Sequence, residues 1–480
     1  MKMKKASVWI VAILFVLLLT GGCTFMMYQL LKGQEKSEEK EIETFAKYAK
    51  EEVFQTIPLL EAEHAQVGEA YQFGENSYTI HVSGTTHSDY QKYISQLEKK
   101  GFKKFADNGE EGMEGYVYNT SFTKDELTLS VYHITRFETT YITVGNKGTY
   151  SERLKYQDAY TEGFKEGAKT TVHLFELSDN GNCFIIQLKN GHFIVEDGGN
   201  EQDAPYLLDY LESLTPGDEK PVVEAWFMTH AHIDHCGALK KIIADPVSTS
   251  RIYVEGIYFV DPSRHVQEMI FEDVTLASAI WFVMNASKSF KQEDGSACQF
   301  YRPTLGERYY FGDISIDITL TMDQIMDDAY YEADFNDTST WLMHNIEGQK
   351  FLHAGDAAET TTQMAMDFYE EEYFDLDVFA VLHHGINVYD YFTDYCTLST
   401  ILYTTRNKGS LYTATFAERP EENAHLKEVA KEILAHGEGT VVLSFPYEIG
   451  TAKTMEPCDW RYDGGVRNGK IWDVIGGRKE

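Results

Sequence analysis

Four side chains that commonly bind metal fall within six residues of this sequence, at His230, His232, Asp234 and His235. The preceding residues 222–229 are mostly apolar and predict a buried strand. Alternate side chains of an extended chain share a face, so His230 and His232 can face one ion. Neutral imidazole and carboxylate ligands suit Zn²⁺, Fe²⁺ or Mn²⁺. The motif therefore requires a strand to end at His230 and predicts a metal site there.

The residues after the motif predict how a second ion would be reached. Cys236-Gly237 leads into residues 238–244, whose pattern predicts a helix. The turn between the strand and this helix can bring Asp234 and His235 to a second ion. A histidine-rich surface turn is the alternative, but this spacing rarely arises by chance in a chain with 16 histidines among 480 residues.

The motif resembles the signature of the metallo-β-lactamase-fold hydrolases, and the resemblance extends from about residue 170 to residue 450. In that family, two mixed sheets pack face to face between helices in an αββα sandwich. The resemblance implies that His230 and His232 bind one ion, metal 1, and that Asp234 and His235 bind a second, metal 2. Strand and helix patterns alternate along residues 170–450, as this fold requires, and the last predicted helix spans 425–436.

Further residues follow the order of the family's elements. Asp197 ends a predicted strand and corresponds to a residue that orients the metal loop without binding the ion. Asp356 follows another short strand and corresponds to the carboxylate that bridges the two ions. His383 and His384 follow a third predicted strand. Alignment on Gly385 favours His384 as the metal 2 ligand and leaves His383 to support the site or face the substrate.

The sequence departs from the family pattern at one loop, where a histidine is expected before a strand. Asn336 stands near the place of that histidine and supports the site without an assigned ligand role. The Asn-x-x-Ser spelling through Ser339 resembles the branch that contains the metallo-β-lactamase-like domain of bacterial DNA-uptake (competence) channel proteins. Metal 1 then has two histidines and the shared aspartate. His265 and His344 could substitute in space, although ordinary loop and strand roles are expected for both.

The N-terminus predicts a membrane signal. A basic start at residues 1–5 precedes residues 6–31, which carry no charge and exceed the ~20 residues needed to span a bilayer. We expect an uncleaved signal anchor over residues 1–33, a single-pass protein of the cell membrane, and the bulk of the chain outside the cytoplasm. Gly21-Gly22-Cys23 resembles a lipobox and leaves a lipoprotein modified at Cys23 as the alternative.

Further segments follow the anchor. Residues 34–52 are rich in Glu and Lys and predict a solvated helical stalk. Residues 53–148 predict a small α+β domain, with a helix at 87–101 among strand patterns. The metallo-β-lactamase-fold domain follows at 170–450, and a Gly-rich C-terminal tail occupies 451–480. The predicted class is α/β: an αββα sandwich preceded by a small α+β domain and an N-terminal transmembrane anchor.

Charge and cysteine content exclude several classes of protein. The formal net charge of −34 repels polyanions, so long nucleic acid is not an expected partner. Hydrophobic residues at 43% exclude a disordered chain. Six widely spaced cysteines do not form a disulfide framework. Asp327, Asp328, Glu332 and Asp334 add negative charge near the expected mouth of the site, with a solvated loop as the alternative.

The resemblance implies hydrolysis of an ester, amide or phosphodiester by metal-activated water. We expect one or two divalent ions, zinc in the first place, with manganese or iron as alternatives. Asp234 would orient the water and transfer a proton, and His383 would stabilise charge on the substrate. The favoured function is a phosphodiesterase-type hydrolase of small-molecule or cell-wall-linked substrates.

Two alternatives to this function stay open. A nuclease related to the DNA-uptake proteins is the second enzyme hypothesis. A non-catalytic binding or sensing module on a degenerate hydrolase fold is the third, since Asn336 stands where the family has a histidine. Metal content distinguishes the binding module, because a degenerate site should bind little metal in a folded chain.

Overall fold

The computed structural model describes residues 57–73, 77–146, 148–263, 267, 273–324, 335–404, 420–436 and 439–455, together with strand pieces at 43–44, 462–463 and 466–467. The predicted anchor at 1–33 and the lipobox residue Cys23 lie outside the described residues. Of the predicted helical stalk at 34–52, only 43–44 are described, and they form a strand because they pair with the edge of a sheet. Within the described part of the chain, no helix is long and apolar enough to cross a membrane.

The N-terminal part of the described chain is an antiparallel sheet with one helix on its face. The strands are β1 (Glu43–Thr44), β2 (Gln66–Phe73), β3 (Ser77–Ser83), β4 (Lys103–Asp107), β5 (Val117–Lys124), β6 (Leu127–Ile134) and β7 (Thr139–Asn146), in the order β1-β2-β3-β7-β6-β5-β4. Helix α1 (His87–Lys99) buries Tyr90, Tyr93 and Leu97 against this sheet. Thr86 begins the helix with a capping box to Asp89. This is an α+β arrangement.

Two mixed sheets follow and form the centre of the second half of the chain. The second sheet contains β8 (Thr171–Leu174), β9 (Cys183–Gln187), β10 (Phe193–Asp197), β11 (Val222–Met228), β12 (Tyr253–Val254), β13 (Gly256–Phe259) and β14 (Gln299–Tyr301). The third sheet contains β15 (Arg308–Phe311), β16 (Ile314–Leu320), β17 (Trp341–Ile346), β18 (Gln349–His353), β19 (Asp375–Ala380), β20 (Thr397–Tyr403) and β21 (Glu432–Ala435), in that order. The chain then returns to the second sheet through β22 (Val441–Ser444) and β23 (Lys453–Thr454), giving the order β14-β13-β11-β10-β9-β8-β22-β23 with β12 beside β11. A short pair, β24 (Tyr462–Asp463) and β25 (Val466–Arg467), lies beyond it.

Helices cover the outer face of each of these two sheets. The helices are α2 (Ala204–Leu214), α3 (Ile233–Ile243), α4 (Pro246–Thr249), α5 (Val274–Asn285), α6 (Glu359–Phe368), α7 (Asp390–Tyr395) and α8 (Pro420–Val429). Along β10, Phe193 and Val195 face the helices, whereas Ile194 faces the third sheet, as strand alternation requires. The result is a helix–sheet–sheet–helix sandwich, which confirms the predicted metallo-β-lactamase αββα fold.

Two helix predictions are wrong in their bounds. Helix α3 begins at Ile233 instead of residue 238, because Asp234 in its first turn suits the positive end of a helix. The helix predicted at 425–436 ends at Val429, and β21 follows it. There, Ile433 pairs with Ile401 of β20, so sheet pairing overrides the local helical pattern.

The N-terminal sheet packs directly on the αββα sandwich. Val117 and Tyr132 join the apolar core between the third sheet and its helices. The Asn119 side chain donates a hydrogen bond to the carbonyl oxygen of Leu305 at 2.7 Å. These contacts are buried and link segments far apart in sequence.

Candidate metal centre

The predicted ligands lie where neighbouring strands of both central sheets end. β10 and β11 run parallel, and they end at Asp197 and just before His230. In the third sheet, β18 and β19 also run parallel and lead to Asp356 and His384. The first turn of α3 adds Asp234. Loops from both sheets therefore converge at one edge of the sandwich, where the carboxyl ends of the strands meet.

Two groups of ligand atoms form at this edge, and within each group all atoms lie within 4.8 Å of one another. The metal 2 set comprises Asp234, His235, Asp356 and His384. The metal 1 set comprises His230, His232 and Asp356. Asp356 belongs to both sets and is buried, so its carboxylate is placed to be shared between two cations.

Unsatisfied imidazole nitrogens in the metal 2 set suit a cation. His235 Nε2 lies 3.0 Å from Asp356 Oδ1, and His384 Nε2 lies 3.3 Å from oxygens of both Asp234 and Asp356. Both nitrogens are buried and lack hydrogen-bond geometry to any described residue. Buried polar atoms normally have partners, and imidazole nitrogens facing carboxylates form a donor set that fits Zn²⁺. The residues present therefore fit a divalent metal.

The opposite nitrogens of these histidines are held by other side chains. His235 Nδ1 pairs with Asp197 Oδ2 at 2.7 Å, and His384 Nδ1 pairs with the Thr404 hydroxyl at 3.0 Å. Asp197 is fixed in turn, because its Oδ1 accepts the backbone N–H of Thr229 at 2.8 Å. Metal-binding histidines characteristically have the second nitrogen anchored in this way. The contacts leave Nε2 of both rings for the metal.

The metal 1 set is smaller. His230 Nε2 and His232 Nδ1 face each other at 3.0 Å, and the His232 ring lies 5.2 Å from that of Phe335. Asn336 is buried next to Phe335, at the start of the loop that leads to Ser339. Ser339 Oγ lies 3.3 Å from His230 Nδ1 and accepts the backbone N–H of Asp356 at 3.2 Å. The Asn-x-x-Ser loop thus supports the ligands of metal 1 through its serine.

The electrostatic environment favours a cation in the metal 2 set. Burial lowers the pKa of His384, but the carboxylates of Asp356 and Asp234 outweigh it and raise the value to about 9. For His235 as well, nearby carboxylates outweigh burial and raise the pKa well above its usual value. In the metal 1 set, burial and the neighbouring histidines hold the pKa of His230 well below 6.5, which keeps it in the neutral form that binds metal.

Strained backbone marks the same place. Asp197, His383 and His384 have φ values of 56°, 47° and 56°, in the left-handed region that non-glycine residues rarely occupy. Such strain persists where surrounding contacts fix it, and it is concentrated at functional sites. Of the histidine pair, His384 is buried within the metal 2 set. His383 is 21% exposed, with Nε2 at 3.5 Å from Asp356 Oδ2, so it borders the site from the solvent side.

Of the remaining candidates, those that the structure describes lie outside both ligand sets. His344 is buried and bonds to the Glu196 carboxylate and to the Phe351 carbonyl oxygen at 3.0 Å, so it is not in either set. The thiol of Cys236, which adjoins His235 and could in principle contact a metal, lies 3.5 Å from the Ala231 carbonyl oxygen and is in neither set. His265 and the acidic loop residues Asp327, Asp328, Glu332 and Asp334 lie outside the described residues.

Sequence reasoning missed several polar residues around the site. Asn182 is buried; its side-chain amide donates to Asp356 Oδ1 at 3.4 Å, and its backbone N–H donates to the Asp234 carbonyl oxygen at 3.3 Å. Asn387 donates to the Asp356 carbonyl oxygen at 3.3 Å. A lone Asn before a strand or after a His-His-Gly turn carries no spacing signal, so these contacts become visible only in three dimensions.

Comparison with known proteins identifies the domain that carries this site. Residues 178–388 match the sequence model of the metallo-beta-lactamase superfamily, and all of the clustered ligand residues lie within that match. No curated protein sequence matches the chain. The DNA-uptake branch stays a prediction.

Several solved structures are similar to the chain at low sequence identity. The metallo-beta-lactamase fold protein YhfI from Bacillus subtilis is 10% identical, covering 56% of this chain and 96% of its own, with a TM-score of 0.33. Unliganded yeast PDE1 is 12% identical, covering 58% of this chain and 100% of its own, with a TM-score of 0.32. Zn(2+)-bound PqqB from Methylobacterium extorquens is 10% identical, covering 44% and 71%, with a TM-score of 0.27.

Proposed function

We propose that this chain is a membrane-anchored, metal-dependent hydrolase of the phosphodiesterase type that acts outside the cytoplasm on small or cell-wall-linked substrates. The observation that carries the proposal is the shared carboxylate of Asp356, which joins two histidine-containing ligand sets at one edge of the fold. The metallo-β-lactamase superfamily includes metal-dependent hydrolases such as phosphodiesterases. The uncharged segment at residues 6–31 supports the proposed location.

The proposed cofactor is a divalent cation, zinc in the first place. His235, Asp356 and His384 would hold metal 2 together with Asp234, and His230 and His232 would hold metal 1 with Asp356. A bound divalent cation lowers the pKa of water from 15.7 to about 7 and so supplies a nucleophile at neutral pH.

We expect Asp234 to handle the proton of the attacking water. Its carboxylate is 30% exposed, so it reaches both the metal 2 set and the solvent. One oxygen lies 3.3 Å from His384 Nε2, and the other would orient water and take or return a proton.

We expect His383 to face the substrate. Its ring is 21% exposed and lies beside the shared Asp356. A hydrogen bond donated by this imidazole to a phosphoryl oxygen of the substrate would stabilise the negative charge that develops on the oxygens around phosphorus. The left-handed backbone at His383 and His384 supports different roles for these two adjacent rings.

The charge of the chain limits the substrate. A net charge of −34 opposes binding of long polyanions, which weighs against a nuclease. A diester with a single phosphate carries one negative charge and is repelled only weakly, and a positively charged substituent on it would offset this repulsion. Small or wall-linked phosphodiesters therefore fit better than long nucleic acid.

Hydrolysis by the full-length protein, purified in detergent, tests this function. The substrates are bis-p-nitrophenyl phosphate and p-nitrophenyl phosphorylcholine, with His232→Ala and Asp356→Ala as site variants. His425→Ala, which removes a partly exposed histidine of α8 that pairs with Asp394 and lies outside both ligand sets, is the matched control. We expect metal-dependent turnover that both site variants lose and the control keeps. Turnover that survives Asp356→Ala, or no turnover by metal-loaded wild-type protein, would contradict the proposal.

A binding or sensing module is the second candidate. The absence of a third histidine from the metal 1 set favours it, since the described residues give that set three ligands. A folded wild-type protein that retains less than one equivalent of metal and hydrolyses neither ester would establish this alternative.

A further inference from the structure

A buried group of charged side chains connects the two central sheets behind the metal centre. Glu196 of β10 contacts both His344 of β17 and His353 of β18, and all three side chains are almost completely buried. Glu196 Oε2 pairs with His353 Nδ1 at 2.8 Å, and its other oxygen pairs with His344 Nε2. We refer to Glu196, His344 and His353 as the Glu196 triad.

The triad lies within the apolar layer between the two central sheets. The His344 ring stacks on Phe351 at 4.8 Å, and the His353 ring lies 4.7 Å from that of Phe184, within the layer between the sheets. Charged groups in such a layer are expensive to bury, and apolar replacements of similar size are often neutral or stabilising. A role beyond packing is therefore indicated.

The triad is continuous with the metal 2 set. His353 Nε2 is buried at 3.7 Å from Asp197 Oδ2, the oxygen that pairs with His235 Nδ1 at 2.7 Å. Glu196 directly precedes Asp197, whose backbone is held at a positive φ of 56°. His353 also ends the strand that leads to Asp356. The triad thus touches the side chain that orients one ligand and the segment that presents another.

We propose that the Glu196 triad is a positioning network that holds Asp197 and Asp356 in place and thereby sets the geometry and affinity of the metal 2 set. The connected groups run from His344 through Glu196 and His353 to Asp197 and His235. Because negative and imidazole groups alternate along this line, each side chain fixes the orientation of the next. The inference rests on the proposed metal site but not on its substrate.

The charge state of Glu196 agrees with this arrangement. Burial alone would raise its pKa, but His344 and His353 outweigh burial and lower the pKa to about 2. Glu196 is therefore a carboxylate at neutral pH and accepts hydrogen bonds from both rings. The oxygen on the His353 side keeps Nδ1 of that ring engaged, which turns its Nε2 toward Asp197.

The test replaces the triad with apolar residues in the full-length protein: Glu196→Met, His344→Leu and His353→Leu together. The measurements are the melting temperature without metal, the Co²⁺ affinity by competition with a chelator, and the visible absorption spectrum of bound Co²⁺. We expect an unchanged or higher melting temperature, a Co²⁺ affinity roughly 10- to 100-fold weaker, and shifted absorption bands, because residues that support metal ligands typically contribute this much. Ile346→Val is the matched control in the same apolar layer and should bind Co²⁺ as the wild type does.

A folded triple variant with wild-type Co²⁺ affinity and spectrum would overturn the inference and leave the triad as a brace between sheets. If the triple variant does not fold, Glu196→Gln, which keeps the side-chain shape, decides the question: a Co²⁺ affinity about tenfold weaker supports the network, and an unchanged affinity contradicts it. Wild-type protein that binds no Co²⁺ would overturn the proposed function as well. Wild-type protein that binds Co²⁺, together with variants that bind it equally tightly, would overturn only the network.

Discussion

The Asp197→Asn substitution tests how the metal 2 set is oriented. The two oxygens of Asp197 face different donors: Oδ1 accepts the Thr229 N–H at 2.8 Å, and Oδ2 pairs with His235 Nδ1 at 2.7 Å. Asparagine replaces one of these oxygens with an NH₂ group, so one side must lose its acceptor. If the NH₂ group faces His235, Nδ1 has to become an acceptor, and the proton moves to Nε2, the atom that would bind metal.

The expected loss can be estimated for each orientation. Facing Thr229, the amide leaves a buried N–H unsatisfied, which costs about 1–3 kcal/mol of folding stability. If the amide instead faces His235, it favours the tautomer of His235 that carries its proton on Nε2, the atom that would bind metal. In both cases the negative charge behind the imidazole is lost, and changes of this kind weaken metal affinity roughly 10- to 100-fold, or about 1.4–2.8 kcal/mol.

This estimate is checked by measuring the metal affinity of the wild type and of Asp197→Asn by competition with a chromophoric chelator. Asp203→Asn is the matched control, since Asp203 is equally buried and accepts the backbone N–H groups of Ser178 and Asn200 at 2.9 and 2.8 Å. The control should lose stability but bind metal as the wild type does. Wild-type metal affinity in Asp197→Asn would refute the assignment of His235 Nε2 as a ligand atom oriented by Asp197.

Three further predictions concern catalysis, metal removal and pH. His383→Gln should lower kcat about 100-fold while leaving the metal content unchanged, because the ring stabilises charge on the substrate; kinetics beside metal analysis check this. Removing metal with a chelator should lower the melting temperature, since metal held at 100 times its dissociation constant stabilises the fold by about 2.7 kcal/mol; an unchanged melting temperature argues against a bound ion. Burial raises the pKa of Glu307 from 4.5 to about 7. The folded protein therefore keeps a proton that the unfolded chain has released, and stability should fall by about 3 kcal/mol as pH rises from 4.5 to 7, then level off. Denaturant unfolding across this range should show no such fall in Glu307→Gln.

Individual strands and helices were predictable from local patterns, whereas the two-sheet architecture was predicted from the family resemblance. Buried strands such as β11 are short apolar segments, and their alternation with helices indicates an α/β fold. The close spacing from His230 to His235 also predicts that these side chains meet, because a strand end and the first turn of a helix are rigid over that distance. Local geometry therefore accounts for the part of the site that lies within a single segment.

Contacts between distant segments were not predictable in the same way. Glu196 and His353 meet across 157 residues, and each alone has the pattern of an ordinary strand residue. Asn182 approaches Asp356 across 174 residues with no motif around it. The strand at β21 was missed for the same reason, because pairing with β20 and not its own sequence determines its conformation.

The metal content of the full-length protein tests the central claim most directly. Wild-type protein and Asp356→Ala would be loaded with Zn²⁺, dialysed and measured by elemental analysis, with circular dichroism to establish that both are folded. The shared position of Asp356 in both ligand sets predicts one or two ions per wild-type chain and a loss of metal from the variant. Folded wild-type protein with less than one ion per chain, or a variant that retains the full content, would contradict a metal centre built on Asp356.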